Sequence, residues 1–244
     1  MKIKFLDGYN AWKDFNNEVH HIIVQNQWKA IGEIGGGANP LLSPDFVKSQ
    51  SLKYHVMDVS ADELKKAGLE YDKIIIDLEK PLTESAGQYD FIFAQMTLEH
   101  IKEPQIFYSN VYKLMKPGGQ AYFFFACLTS LPSFINLLIP ESISEKILFR
   151  LQPFRRHEKH SKFKAYYKWC FGPTRKNINR FRSLNFVVEF YTGYFGHSYY
   201  HRIKPLDFLE KVKTKFLLKH HSPYLCSYAH VLLKSENKPV LNFL

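Results

Sequence analysis

The sequence predicts an α/β fold of three layers, in which a mostly parallel, seven-stranded sheet lies between two layers of helices. Two observations support this prediction. Short apolar runs of strand length alternate with stretches that permit helices, and these runs are too uniformly apolar for strands with one face in water. With 244 residues, of which 45% are apolar, the chain is long enough to bury such a sheet as a single domain over 1–244.

Five apolar runs in the first half supply the predicted parallel strands, at 30–34, 54–57, 73–77, 89–95 and 120–126. A helix is predicted from Pro104 to Met115, because a cation, a proline and two glycines end it before the fifth strand. Two later runs, 186–191 and 228–234, complete the sheet as a terminal pair.

The strand order divides the chain into four segments. They are an N-terminal helical segment (1–27), a ligand-binding core (28–126), a helical insertion between the fifth and sixth strands (127–185), and the last two strands with the segment between them (186–234).

Charge is distributed unevenly between the two halves. Residues 1–126 carry 13 Lys and Arg against 16 Asp and Glu, whereas residues 127–244 carry 20 against 7. Within the insertion, residues 150–182 hold 11 Lys and Arg interleaved with aromatic residues, against the single acid Glu158. This composition is typical of an anionic membrane surface contact or of RNA binding, and equally of a basic helical face that packs through its aromatics.

The apolar stretch Leu131 to Ile139 adjoins the basic run, which favours a lipid-bearing partner over nucleic acid. Pro132, Asn136 and Pro140 interrupt this stretch, so we do not expect it to span a membrane.

The three cysteines lie far apart, so neither a disulfide framework nor a metal site is predicted. The N-terminus lacks the apolar core of a secretory peptide. We expect a cytoplasmic protein that can associate peripherally with a membrane.

A glycine-rich loop follows the first predicted strand, in the run Glu33-Ile34-Gly35-Gly36-Gly37-Ala38-Asn39-Pro40. Glycines there let the backbone turn sharply and approach a ligand. A dinucleotide fingerprint would need a third glycine where Pro40 stands. Glu33 is also poorly suited to a pyrophosphate, but it suits a cationic amino-acid ligand.

Acidic residues follow the next two strands, at the edge where open α/β sheets bind ligands. Asp58 comes after the second strand and could accept both hydroxyls of a ribose. Asp77 comes after the third strand, where a carboxylate could accept an adenine amino group and Leu78 could cover the ring.

Five motifs together resemble the class I S-adenosylmethionine-dependent methyltransferases, particularly the type 11-like branch: EIGGGANP, VMDVS, IDLEKPL, YDFIFAQMTLEHI and LMKPGGQAYFF. The resemblance covers about residues 28–126 and implies a Rossmann-like methyltransferase fold with S-adenosylmethionine as cofactor. It implies that Glu33, Gly35 and Gly37 surround the methionine moiety, and that Gln95 lies at the methyl sulfonium edge. The full set of implied cofactor-binding residues is Glu33, Gly35, Gly36, Gly37, Asp58, Val59, Asp77, Leu78 and Gln95.

A hydroxyl acceptor would call for a general base, and histidine is the usual choice. His197 is the leading candidate, because a loop after a parallel sixth strand emerges at the mouth of the site. His100, in the Leu98-Glu99-His100 turn, is the second. The other histidines considered are His157, His160 and His201.

We therefore predict a methyltransferase that acts on oxygen, nitrogen or carbon of a small-molecule, lipid or lipid-linked glycan acceptor. The alternatives are an RNA methyltransferase and a non-catalytic module that docks RNA or a protein partner on the same fold. A nicotinamide-dependent oxidoreductase is a third alternative, which Pro40 and Glu33 disfavour.

Overall fold

A computed structural model describes residues 1–82, 87–138 and 163–236. Its sheet has eight strands in the order β1-β7-β8-β6-β5-β2-β3-β4. The strands are β1 (Lys2–Asp7), β2 (Ala30–Ile34), β3 (Lys53–Asp58), β4 (Asp72–Ile75), β5 (Tyr89–Gln95), β6 (Met115–Ala126), β7 (Phe186–Phe195) and β8 (Tyr228–Ser235). β8 is antiparallel to both of its neighbours, and the other pairs are parallel.

The described helices are α1 (Ala11–Asn26), α2 (Pro44–Ser49), α3 (Ala61–Lys66), α4 (Pro104–Leu114), α5 (Leu131–Leu138), α6 (Arg175–Arg182) and α7 (Lys204–His220), with 3-10 turns at Gly8–Asn10 and Leu98–His100. The five predicted parallel strands are confirmed as β2 to β6, and the terminal pair as β7 and β8. The mostly parallel α/β fold is thus confirmed.

The core lies on both faces of the central strands. Phe123 and Phe124 are adjacent on β6 and so point to opposite faces, and both are fully buried. Phe15 of α1 contacts Phe124 on one face, whereas Tyr108 of α4 contacts Phe123 on the other. This explains why the predicted strands have continuous apolar sequences, since helices cover both sides of them.

The strand order reverses between β2 and β5. β2 pairs with β3 on one side and with β5 on the other, so the chain winds outward in both directions from this point. Open α/β sheets bind ligands in the crevice outside the carboxyl ends of the strands at such a reversal. The glycine loop follows β2, and Gln95 ends β5, so both lie at this crevice.

The predicted sheet of seven strands is corrected to eight, because β1 pairs in parallel with β7 from Lys2 opposite Phe190 to Asp7 opposite Phe195. The predicted helical segment 1–27 is correct for α1 but not for Lys2–Asp7. Exposed lysines interrupt the apolar residues of β1, which is a common feature of edge strands and obscures the strand signal in the sequence.

The insertion is described over 127–138 and 163–185, where it contains α5 and α6. Ile178 and Phe181 of α6 are buried. His157, His160 and much of the basic run lie outside the described residues. No helix in the described part of the chain is both long and apolar enough to cross a membrane.

Candidate cofactor site

The glycine loop turns immediately after β2 in a conformation that favours glycine. Gly35 has φ +72° and Gly37 has φ +41°. A Cβ added to Gly35 would lie 2.3 Å from Oγ1 of Thr97, which follows β5, so the two loops pack too closely for a side chain. The Gly35 amide donates to the carbonyl of Met57, 2.7 Å away, and this bond ties the loop to β3.

Glu33 is buried under this loop, with 3% of its surface exposed. Its carboxylate accepts hydrogen bonds from the Leu41 amide at 3.0 Å and from the Tyr54 hydroxyl. A Cβ on Gly36 would come within 2.9 Å of the Glu33 carboxyl carbon. Burial raises the pKa of Glu33 to about 7, although both hydrogen bonds act in the opposite direction. Glu33 therefore anchors the glycine loop through its hydrogen bond with the Leu41 amide.

Asp58 ends β3 and faces the glycine loop. Its Oδ1 accepts from the Ser60 amide at 2.8 Å, and a Cβ on Gly37 would lie 3.1 Å from its Oδ2. Burial raises the pKa of Asp58 above its ordinary value. The side chain of the next residue, Val59, is 60% exposed. A partly exposed carboxylate beside a glycine cradle, with an apolar side chain next to it, suits a ribose with its attached base.

Asp77 and Leu78 follow β4 as predicted, but they differ in accessibility. Asp77 accepts from the Glu79 amide at 3.0 Å and forms an ion pair with Lys80 at 3.0 Å. Leu78 is 5% exposed and belongs to the core, and its carbonyl accepts from the Asn110 side chain. An adenine at this edge would therefore contact little of the Leu78 side chain, because that side chain is buried.

Gln95 completes the crevice from the β5 side. It is the last residue of β5, and the next residue, Met96, has φ +53°, which turns the chain sharply away from the sheet. The Thr97 hydroxyl donates to the Gln95 carbonyl at 3.2 Å. The structure thus brings Gln95, the glycine loop and Asp58 to the carboxyl ends of three adjacent strands.

The Leu98–His100 turn connects this crevice to the insertion. The Glu99 carbonyl accepts the amides of Tyr166 and Tyr167, at 2.7 and 3.0 Å. His100 Nδ1 lies 3.0 Å from the carbonyl oxygen of Lys164. These bonds hold the described part of the insertion against the turn that follows β5.

Glu99 is also a buried acid, for which the sequence predicts no role. It is 5% exposed, and its Oε2 has no hydrogen-bond partner among the described residues. Burial raises its pKa to about 8, so the carboxyl group is largely protonated at neutral pH. Nothing in the sequence distinguishes this acid from a solvated turn residue, because its burial depends on the insertion above it.

His197 follows β7 at the carboxyl edge, as expected, but its ring is enclosed rather than open at a mouth. The residue is 1% exposed, and Nε2 lies 3.5 Å from Glu210 Oε1 of α7. The ring packs edge-on against Tyr199 and Tyr200. Burial lowers its pKa to about 4, so the ring is neutral at pH 7. β7 lies three strands from β5, a distance of about 14 Å at the usual strand spacing.

The structure assigns supporting roles to two further residues that the sequence analysis did not single out. Tyr54 donates to Glu33, and Thr97 fills the space against Gly35.

His201, another candidate histidine, lies 3.2 Å from Asp207 and is exposed. Within residues 1–82, 87–138 and 163–236, no group of three or more His, Cys, Asp or Glu could hold a metal ion.

Comparison with known proteins agrees with this geometry. Residues 33–121 match a protein family described as "Methyltransferase domain". A ubiquinone biosynthesis O-methyltransferase of Acinetobacter baylyi is 29% identical over 106 residues, which is 43% of this chain and 42% of that protein. The matched part therefore spans less than half the length of this relative.

Two solved structures show the same fold. A SAM-dependent methyltransferase from Archaeoglobus fulgidus aligns with a TM-score of 0.52 at 15% identity, covering 94% of this chain and all of that one. A Haemonchus contortus phosphoethanolamine N-methyltransferase, in complex with phosphomonomethylethanolamine and S-adenosylhomocysteine, aligns with a TM-score of 0.51 at 14% identity. That alignment covers 90% of this chain and 52% of the other.

Proposed function

We propose that the chain, which resembles the class I S-adenosylmethionine-dependent methyltransferases of the type 11-like branch, transfers a methyl group from S-adenosylmethionine to a small-molecule acceptor. One observation carries the proposal. The left-handed glycines Gly35 and Gly37 and the carboxylate of Asp58 meet at the strand reversal, forming a cradle that a Cβ would fill.

Each side of this cradle has a role in binding the cofactor. Asp58 accepts hydrogen bonds from the ribose hydroxyls, with Val59 against the adjoining base. Asp77 accepts the adenine amino group beside Leu78, and Gln95 lines the methyl sulfonium edge. The backbone of Gly35, Gly36 and Gly37 faces the methionine moiety, while Glu33 keeps the loop in place. The bound cofactor supplies an activated methyl group, so the protein's main task is to position the acceptor.

The acceptor is proposed to be a small molecule. This is supported by the names of the relatives, one a ubiquinone biosynthesis O-methyltransferase and another a phosphoethanolamine N-methyltransferase. A lipid or lipid-linked glycan is the second candidate. It is supported by α5 at the start of the insertion, where Leu131, Phe134 and Leu138 are 50% or more exposed. Nucleic acid is the least favoured acceptor.

For a hydroxyl acceptor, His197 and His100 are the proposed proton acceptors. His197 is neutral at pH 7, as a base must be, but a pKa of about 4 makes it a weak base. His100 lies in the turn directly after β5, and the Lys164 carbonyl holds its Nδ1. His100 is thus the nearer of the two to the methyl edge. We place the protein in the cytoplasm, in line with its three buried, unpaired cysteines.

The proposal is tested by incubating the purified protein with methyl-labelled S-adenosylmethionine and three separate acceptor pools: small phenols and amines, a total lipid extract, and total RNA. Label is expected in the first pool, or in the second if the acceptor is a lipid. It should disappear with Asp58→Ala and persist with Asp62→Ala, a substitution of an exposed acid on α3. Label in RNA alone, or in none of the pools while the cofactor still binds, would contradict the proposal.

A further inference from the structure

Helix α7 carries four large apolar residues on its outer face. Phe208, Leu209, Val212 and Phe216 are 67%, 60%, 50% and 60% exposed. The spacing 208, 212, 216 puts three of them on one face of the helix, and Leu209 lies beside them. We call these four residues the α7 stripe. Exposed apolar residues scattered singly are ordinary, but four on one helical face mark an interaction site.

The opposite face of α7, which packs against the protein, is mostly polar. Its buried residues are Glu210, Thr214 and Leu217. Glu210 lies 3.5 Å from the buried ring of His197, a Cβ on Gly196 would lie 2.5 Å from the Thr214 hydroxyl, and Leu217 belongs to the hydrophobic core. The helix is therefore docked through these three residues, and its most apolar face is left for something other than the core.

The charges around the stripe are positive. The helix has two acids, Asp207 and Glu210, whose side chains are 13% and 6% exposed and pair with Lys211 and Lys213. Its five lysines are all exposed: Lys204, Lys211, Lys213, Lys215 and Lys219. An apolar face flanked by lysines is the pattern of helices that lie in the interface of an anionic membrane.

The stripe lies near the candidate site's end of the sheet. α7 follows the carboxyl end of β7, and the chain returns through Tyr224 and Leu225, which are 65% and 50% exposed. The next carbonyl, that of Cys226, accepts the hydroxyl of Thr129 at the start of the insertion, close to the exposed residues of α5. Apolar residues are thus exposed on neighbouring segments at the same edge.

We propose that the α7 stripe and its lysines form a docking surface for a bilayer that contains anionic lipid. This goes beyond the proposed methyl transfer, because the surface would act whatever the acceptor is. A second copy of the chain is the rival occupant. A symmetric dimer through this face would bring two sets of five lysines together, whereas anionic headgroups complement them.

The test is co-sedimentation of the full chain with vesicles of phosphatidylcholine containing phosphatidylglycerol, and with pure phosphatidylcholine vesicles. Binding to the anionic vesicles is expected, weaker in high salt because exposed charges are screened. Phe208→Ser/Phe216→Ser should reduce the partition coefficient roughly tenfold or more, since it removes two exposed apolar side chains that insert into the bilayer. The matched control is Val24→Ser/Val187→Ser, two exposed apolar residues on α1 and β7, which should bind as wild type does.

Three results would overturn the proposal: no vesicle binding by the wild type, equal binding by the stripe variant, or a dimer that the stripe variant converts to a monomer. Calorimetric binding of S-adenosylmethionine, measured without vesicles, separates this outcome from that of the proposed function. A protein that binds the cofactor but not the vesicles keeps the methyltransferase proposal and loses this one. A protein that binds the anionic vesicles but not the cofactor keeps the docking proposal and loses the methyltransferase proposal.

Discussion

At the scale of single residues, the candidate site depends on a carboxylate at the end of β3. Asp58→Ala is expected to weaken S-adenosylmethionine binding by about 10- to 100-fold, because hydrogen bonds to a charged group are worth roughly 1.5–3 kcal/mol. Calorimetric titration measures the change. Asp62→Ala is the control, since that acid on α3 is exposed and pairs with Lys65. Equal affinities of the two variants would remove Asp58 from the site.

A second prediction concerns Gly35, where a Cβ would have two effects that can be separated: strain from the positive φ and contact with Thr97. Gly35→Ala places a side chain at φ +72° and also against Thr97, whereas Gly87→Ala meets φ +66° with no contact under 3.9 Å. The left-handed conformation costs about 1–2 kcal/mol in both. The contact with Thr97 should make Gly35→Ala the more destabilising by at least about 1 kcal/mol. Urea unfolding measures both, and equal losses would mean that the loops do not pack as described.

The sequence predicts the glycine loop and Asp58 because their function follows from residue type and position at a strand end. It does not predict that Glu99 and His197 are buried. Their burial depends on segments distant in the chain: the insertion covers Glu99, and α7 covers His197. A turn acid and a loop histidine look the same in a sequence whether or not such a cover exists.

At the scale of elements, the main departure from the predicted fold is β1. Its lysines alternate with Ile3 and Phe5, of which Ile3 is exposed, so the run looks too short and too charged for a strand. Its pairing partner, β7, lies more than 180 residues away in the sequence. The central strands are easier to predict, because burial on both faces makes them continuously apolar.

The docking of β1 can be tested through Phe5. Its ring stacks on Phe195 at 5.4 Å and on His221 at 5.2 Å, which links β1 to β7 and to the end of α7. Phe5→Ala should lower the free energy of unfolding by about 2 kcal/mol, less than for a fully buried phenylalanine. Lys4→Ala, at the neighbouring exposed position, should change it by under about 0.5 kcal/mol. Similar small losses for both would mean that β1 contributes little to the sheet.

At the scale of the whole molecule, buried ionisable groups determine how stability varies with pH. Burial raises the pKa of Glu99 to about 8 from an ordinary 4.5. The folded state thus binds this proton more tightly than the unfolded state. Its stabilising contribution is complete below pH 4.5 and is lost as the pH rises through 8. The buried rings of His197 and His230, with pKa values of about 4 and 3, act in the opposite direction and mainly below pH 6.5.

Glu99→Gln should therefore flatten the decline in stability between pH 6.5 and 8. One such group contributes at most about 1.4 kcal/mol per pH unit. Chemical denaturation across this range measures the slope. Glu70→Gln, at an exposed glutamate after α3, should leave the slope of the wild type unchanged. A Glu99→Gln slope as steep as that of the wild type would show that Glu99 does not retain its proton in the folded protein.

The central claim is that this molecule binds S-adenosylmethionine at the strand reversal. Calorimetric titration of the full chain with S-adenosylmethionine, S-adenosylhomocysteine and NAD tests it most directly. We expect one site that binds both adenosyl ligands, does not bind NAD, and is weakened by Asp58→Ala. A saturating ligand at a hundredfold excess over its Kd should also stabilise the fold by about 2.7 kcal/mol. Binding of NAD with equal affinity, or no binding of either adenosyl ligand, would show that the strand reversal is not an S-adenosylmethionine site.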